Sequence, residues 1–139
     1  MELNYLLDTD VISEPFKLRP SRTLLRHLAK HTGQMAIAST TWFELTSGVE
    51  NMPEGKKKTA RREMLGDIRK LTPILAYDDR AAGWHGEEHI RLSKNGKRIP
   101  LADGQIAAVA RMNNLTLVTA NVKDFEWFHG LTVENWMRA

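Results

Sequence analysis

Asp8 and Asp10 stand two positions apart at the end of a short apolar run, in the stretch NYLLDTDVISE (residues 4–14). A D-x-D in that setting can open a phosphatase site, hold a metal ion, or cap a helix. Two further acids widen the choice. Glu44 lies one turn into the segment that leaves the apolar run MAIA (Met35 to Ala38), and Asp103 lies in the first turn of a segment opening at Pro100. Carboxylates brought together repel unless a cation neutralises them. Hard oxygen ligands without His or Cys suit magnesium or manganese, which retain several waters. Such a site can orient and deprotonate water for in-line attack on a phosphodiester. Each acid also has an ordinary structural use. Asp8 can bond backbone amides where the chain leaves the strand, Glu44 can complete a capping box with Thr41, and Asp103 can favour the positive end of a helix dipole. Residue types alone leave these alternatives open.

Other constellations compete. Hydrophobic residues followed by D-x-D, with Ser39 and Asp78-Asp79 later in the chain, also resemble the signature of haloacid dehalogenase phosphatases. There Asp8 would attack phosphorus and Asp10 would act as general acid and base. That reading leaves Glu44 and Asp103 idle and finds no convincing lysine. Asp78 or Asp79 fits better as the cap of a helix beginning at Arg80. HGEEH (His85 to His89) formally fits H-x-x-E-H, two His at i and i+4 on one helical face. No third ligand is evident, Gly86 weakens the helix by about 1 kcal/mol relative to Ala, and a solvated face is expected for both His. The basic stretch KKKTARR (Lys56 to Arg62) could meet RNA phosphates or simply face solvent. Arg91, Lys94, Lys97 and Arg98 lie nearer to Asp103 in the chain and are the preferred RNA contacts. Trp42, Phe43, Trp84 and Trp136 are expected in the core or at a subunit interface, while exposure decides whether Trp127-Phe128 stacks on bases.

The elements that must position these residues alternate between strand and helix. NYLL, MAIA, PILAY and LTLVTA read as buried strands and LTVENW as a fifth. Between them lie a short helix from about Val11 with Thr9 or Asp10 as cap, and a helix started by Pro20-Ser21 and stopped by Gly33. A helix from about Thr41 to Val49 follows. KKKTARREMLGDIRKL places Ala60, Met64, Leu65, Ile68 and Leu71 at the helical period, DRAAGWHGEEHIRLSK is stopped by Asn95-Gly96, and Pro100 to Asn113 turns Ile106, Val109 and Ala110 inward. The pattern implies α/β architecture with a parallel sheet covered on both faces. In such sheets ligands bind beyond the carboxyl ends of the strands.

The bulk composition is compatible with one domain spanning residues 1–139. At 139 residues, 42% apolar and 27% charged, the chain can build one hydrophobic core. It has no cysteine, which removes disulfides and Cys-based zinc sites and suits a reducing cytoplasm. Glu2, Asp8 and Asp10 break any apolar leader, and no run approaches the roughly 18 apolar residues of a membrane span. A net charge of +3 leans weakly towards a polyanionic partner.

The stretches LLDTDVISE, IASTTWFELTSGVE, IPLADGQIAAVA and LVTANVKDF stand in the order, and near the spacing, of the PIN-domain ribonucleases. The chain resembles the VapC and FitB toxins of bacterial toxin–antitoxin pairs, and the resemblance covers nearly its whole length. Each motif alone is common, whereas the four in order are specific. The resemblance implies a three-layer α/β/α PIN-like domain with a central parallel sheet of four to five strands. It implies a magnesium- or manganese-dependent endoribonuclease with Asp8 and Asp103 as principal metal ligands and Glu44 completing an acidic pocket. RNA, with transfer RNA as the family-level substrate, would be cut to leave 5′-phosphate and 3′-hydroxyl ends. Thr119 would be the hydroxyl beside the site. Two positions depart from the family pattern: Asn121 stands where many members carry Asp, while Asp124 keeps an acid nearby, and Asp10 stands where Asn is usual. The family also implies a homodimer and a small DNA-binding antitoxin of the VapB/FitA kind, whose tail covers the acidic cleft. A non-catalytic nucleic-acid-binding domain is the other alternative, and Asn121 favours it.

Overall fold

Tyr5–Leu7 forms β1, the middle strand of a five-stranded parallel sheet in a computed structural model that describes residues 2–138. The other strands are β2 (Met35–Ala38), β3 (Ile74–Leu75), β4 (Thr116–Val118) and β5 (Val133–Glu134). Their spatial order is β3-β2-β1-β4-β5, so the chain builds outward from β1 to one side and then returns to its other side. In register, Leu6 pairs with Ala36 and with Leu117. The order therefore reverses between β1 and β4, which opens a crevice at their carboxyl ends. Asp8 leaves one of these strands and Thr119 the other.

Seven helices cover the sheet among the described residues: α1 (Thr9–Ser13), α2 (Arg22–Lys30), α3 (Ser39–Glu50), α4 (Lys56–Leu71), α5 (Asp79–Lys94), α6 (Leu101–Met112) and α7 (Val122–Phe125). Strand alternation divides the core in two. Leu6, Ala36, Ala38 and Leu117 face α5, α6 and α7 through Leu92, Ile106, Val109 and Phe125. Leu7, Ile37 and Val118 face the opposite layer through Val11, Leu24, Leu45, Leu65 and Trp136. Both faces of the sheet are thus buried, as near-continuous apolar strands require. Small residues on α6, Ala107, Ala108 and Ala110, are fully buried and bring that helix close to the sheet. Gly104 does the same towards α5, because a Cβ there would overlap the His85 ring.

Several local expectations change. The helix after β1 begins at Thr9 rather than Val11, and Asp8 is its cap, accepting from the Thr9 amide at 2.8 Å. Asp10 lies inside the first turn and caps nothing. The Thr41–Glu44 capping box does not form, since α3 starts at Ser39 with Ala38 as a cap that makes no side-chain bond. Asp78 caps α5, which begins at Asp79 instead of Arg80. On α4 Met64, Leu65 and Ile68 are buried, but Ala60 and Leu71 are exposed, so the inward stripe is narrower than its period suggests. Lys58, in the basic stretch, is buried and held by Glu54 and by the Glu50 carbonyl.

Candidate active site

Asp8 comes off β1 nearly buried, 8% exposed, with its two oxygens engaged separately. One oxygen accepts from the Thr9 amide and the other from the Thr119 hydroxyl at 2.8 Å. Thr119 is wholly buried, and its hydroxyl oxygen also accepts from the Asn121 amide at 3.0 Å. The β1–β4 crevice is therefore closed at its floor by a carboxylate held in a set orientation.

Glu44 reaches the same mouth from α3. Its carboxylate accepts from the Thr9 hydroxyl at 2.6 Å, with the Thr41 hydroxyl 3.3 Å from that of Thr9. This tertiary bond is what draws Glu44 away from a capping box. Beside it, Thr40 donates to Gln105 of α6 at 3.0 Å and fastens the two helices that carry Glu44 and Asp103. Asp10 turns towards the end of β4, where one oxygen accepts from the Ala120 amide at 3.3 Å and from the Asn121 side chain at 3.4 Å. Its other oxygen, Oδ1, is buried without a hydrogen-bond partner among the described residues. Asn121 and Asp124 sit on the exposed rim.

Asp8, Asp10 and Asp103 are all held above the ordinary carboxyl value. Burial first, and then the Asp10 carboxylate, push Asp8 from 3.8 up to about 7, against the hydrogen bonds from Thr119 and Thr9; Asp103 adds a smaller repulsion. Asp10 is also raised, chiefly by burial. Asp103 is raised by burial and then by Asp124, Glu44 and Asp10 in turn. A mouth that resists its own ionisation is a ready site for a cation. Among the described residues no three His, Asp or Glu side chains stand together as a group that could hold a metal ion. Magnesium and manganese take one or two carboxylates and keep several waters. The hard-oxygen donor set and the unpartnered Asp10 Oδ1 fit such an ion.

Thr9 and Gln105 are the supporting residues that sequence reasoning passed over as site elements. Thr9 stood between the two acids of the D-x-D, where a hydroxyl has carboxylates within reach. Gln105 follows Asp103 by two positions and carries no comparable signal.

Among the expected RNA contacts, Arg91 is engaged within the protein. Its guanidinium binds Glu88 through two bonds of 2.8 Å and donates to the Trp127 carbonyl at 2.7 Å. Lys94, Lys97 and Arg98 take no part in a salt bridge among the described residues. The HGEEH reading also fails. His85 is buried rather than solvated, its Nδ1 lies 2.8 Å from the Tyr77 hydroxyl, and burial holds its pKa below the ordinary 6.5. Glu88 is committed to Arg91 and to the His129 amide. The phosphatase reading loses its later motifs, because Ser39 accepts from the Tyr77 amide and Asp78 is a helix cap. Of the aromatics, Trp136 is buried and Phe43 is 69% exposed, which removes Phe43 from the core.

Sheet order, layering and acidic crevice together define a PIN-like α/β/α domain. Residues 5–126 match the PIN domain family. The chain belongs to that family and is of the VapC and FitB ribonuclease-toxin type. It is 35% identical to Ribonuclease VapC2 of Haemophilus influenzae, over 97% of this chain and 99% of that protein. It is 31% identical to the tRNA(fMet)-specific endonuclease VapC of Shigella flexneri, over 96% and 98%. The crystal structure of DNA-bound VapBC from Salmonella typhimurium superposes with a TM-score of 0.86 at 27% identity, covering 96% of this chain and 98% of that one.

Proposed function

We propose that this chain cleaves RNA, with transfer RNA as the substrate class, at a magnesium or manganese site held by Asp8 and Asp103 and completed by Glu44. One observation supports the reading: Asp8 is raised by burial with Asp10 and Asp103 acting on it, and Asp103 by burial with Asp124, Glu44 and Asp10 acting on it. A divalent cation there would supply a lowered water pKa and would offset charge on the scissile phosphate.

The protein's own groups do the positioning. Thr119 and the Thr9 amide fix the two oxygens of Asp8, and the Thr9 hydroxyl fixes Glu44. Asp10 ties α1 to the end of β4. Asn121 and Asp124 on the rim can contact a water or a phosphate, and Asp124 supplies the fourth acid. The products carry 5′-phosphate and 3′-hydroxyl ends.

The solved VapBC assembly on DNA supports a cognate DNA-binding antitoxin of the VapB/FitA kind as partner for this chain. A homodimer is the assembly we assign, with exposed Phe43 as a candidate interface residue. No helix of the described residues is long and apolar enough to cross a membrane. We place the protein in the cytoplasm, together with its RNA substrate.

The test is cleavage of structured RNAs by antitoxin-free protein in Mg²⁺, Mn²⁺ or EDTA. Cleavage that needs the metal and disappears in both Asp8→Asn and Asp103→Asn is the expected result. Release of phosphate from a phosphomonoester that survives Asp103→Asn but needs Asp10 would overturn the assignment. RNA binding without cleavage under all three conditions would assign a binding role instead.

A further inference from the structure

The acids that act on Asp8 and Asp103 also repel a polyphosphate, so RNA affinity must come from groups beside them. The structure offers such a place where the α5–α6 connection meets the segment after α7. Trp127 is 46% exposed, and the Lys97 ammonium lies 4.0 Å from the centroid of its ring. The neighbouring Phe128 is buried, only 4% exposed, and packs against Trp84 and Phe125. The backbone on both sides of the indole is held: Arg91 donates to the Trp127 carbonyl at 2.7 Å, and the His129 amide donates to Glu88 at 2.7 Å. Folding thus keeps a large aromatic ring outside while anchoring the chain that carries it.

We propose that Trp127 and Lys97 form a substrate subsite in which one unpaired RNA base stacks on the indole and the adjoining phosphate pairs with the ammonium. The proposal rests on the RNA-cleavage reading of the acidic site. An indole face accepts any base by stacking, and a cation beside it suits the sugar–phosphate backbone. The flexible stem of Lys97 lets its ammonium leave the ring for a phosphate as a base takes the face. Gly96, at φ +77, turns the chain directly before Lys97. Arg98 follows and lines a cleft of about 530 Å³ with His89, Ser93 and Ile99. Lys94, Lys97 and Arg98 have no carboxylate partner among the described residues, leaving a basic strip beside the platform.

Position relative to the acids favours RNA over a protein partner as the occupant. Trp127 follows Asp124 by three residues, a reach of at most about 11 Å, and Asp124 is close enough to Asp103 to raise it. A strand whose scissile phosphate lies at the acids therefore has the indole within reach of the nucleotides next to the cut.

The experiment combines steady-state cleavage of a structured RNA with binding of a single-stranded oligoribonucleotide in an Asp103→Asn background. Trp127→Ala is expected to weaken substrate engagement about 5- to 100-fold, with the loss concentrated in KM rather than kcat, and Trp127→Phe to restore most of it. Indole fluorescence quenched by the oligonucleotide should lose its largest part in Trp127→Phe. Lys97→Ala should lower the slope of log Kd against log salt by about 0.7. If the unmodified protein cleaves RNA and KM is unchanged in both Trp127→Ala and Lys97→Ala, the subsite is overturned while the active-site assignment stands. Unchanged RNA affinity with weakened antitoxin pairing would give this face to the partner and equally overturn it. An unmodified protein that neither binds nor cleaves RNA would overturn the active-site assignment and the subsite with it.

Discussion

Replacing Asp8 by Asn should stabilise the metal-free protein, and the gain should grow with pH. In the unfolded chain this carboxyl ionises near 3.8, whereas burial and the adjacent Asp10 hold it at about 7 in the fold. Between those values the folded state keeps a proton that the unfolded state has lost, so stability falls as pH rises from about 4 to about 7 and then levels off. The rise from 3.8 to about 7 corresponds to roughly 4 kcal/mol of strain at pH 8. Asp10 is itself raised chiefly by burial, and it titrates together with Asp8 as a pair. Asn keeps the shape of the protonated acid and an oxygen for the Thr9 amide, while its NH₂ group can donate to the Thr119 hydroxyl. A net stabilisation of about 2–4 kcal/mol at pH 8, fading to near zero at pH 4, is therefore expected. At roughly 3 °C per kcal/mol for a chain of this size, the variant should melt about 6–12 °C higher at pH 8 in EDTA. Scanning calorimetry of both proteins from pH 4 to 8 measures it. Excess Mg²⁺ should narrow the gap by stabilising the unmodified protein alone. A melting difference that is flat across this range, or an Asn variant less stable at pH 8, would refute the reasoning.

Three further outcomes follow from the same geometry. Thr119→Val removes the hydroxyl that lowers Asp8, so half-maximal cleavage should move to higher pH and apparent metal affinity should drop about 10-fold, read from pH- and Mg²⁺-titrations of rate. Gly104→Ala drives a Cβ into the His85 ring and should cost about 1–3 kcal/mol; adding His85→Ala should recover most of it in denaturant melts. His85 is held below 6.5 by burial and by His89, so its imidazole resonances should stay those of the neutral ring as free histidines titrate. Its contribution to stability is complete above 6.5 and is lost as pH falls below it.

Strand and helix order was legible because buried parallel strands are short apolar runs and helices announce their periods and stops. The bounds of α4 and α5 follow from Gly55 and from Asn95-Gly96. The acids were legible as types at the carboxyl ends of strands, with their partnership implied by family resemblance. What local reasoning missed was decided by tertiary bonds. Glu44 had an ordinary capping role to hand, but the Thr9 hydroxyl at 2.6 Å takes it instead. Asp10 resembled a cap, yet the end of β4 holds one of its oxygens and burial isolates the other. Arg91 counted as a free cation until Glu88 and the Trp127 carbonyl claimed it. Lys58 and His85 were likewise assigned to solvent because their polarity hid the contacts that bury them. The Glu54–Lys58 and Glu88–Arg91 pairs do stand at i,i+4 and i,i+3 spacing, whereas the partners of Glu44, Asp10 and His85 come from elsewhere in the chain.

The central claim, that Asp8 and Asp103 together hold the divalent cation, is tested most directly by Mn²⁺ binding without RNA, read from the electron paramagnetic resonance of the free ion. The unmodified protein should withdraw Mn²⁺ from solution at pH 8 and release it as the pH falls below about 7, where Asp8 takes up its proton. Asp8→Asn and Asp103→Asn should each abolish that uptake while remaining folded. Uptake that is independent of pH, or that persists in either variant, would contradict the account.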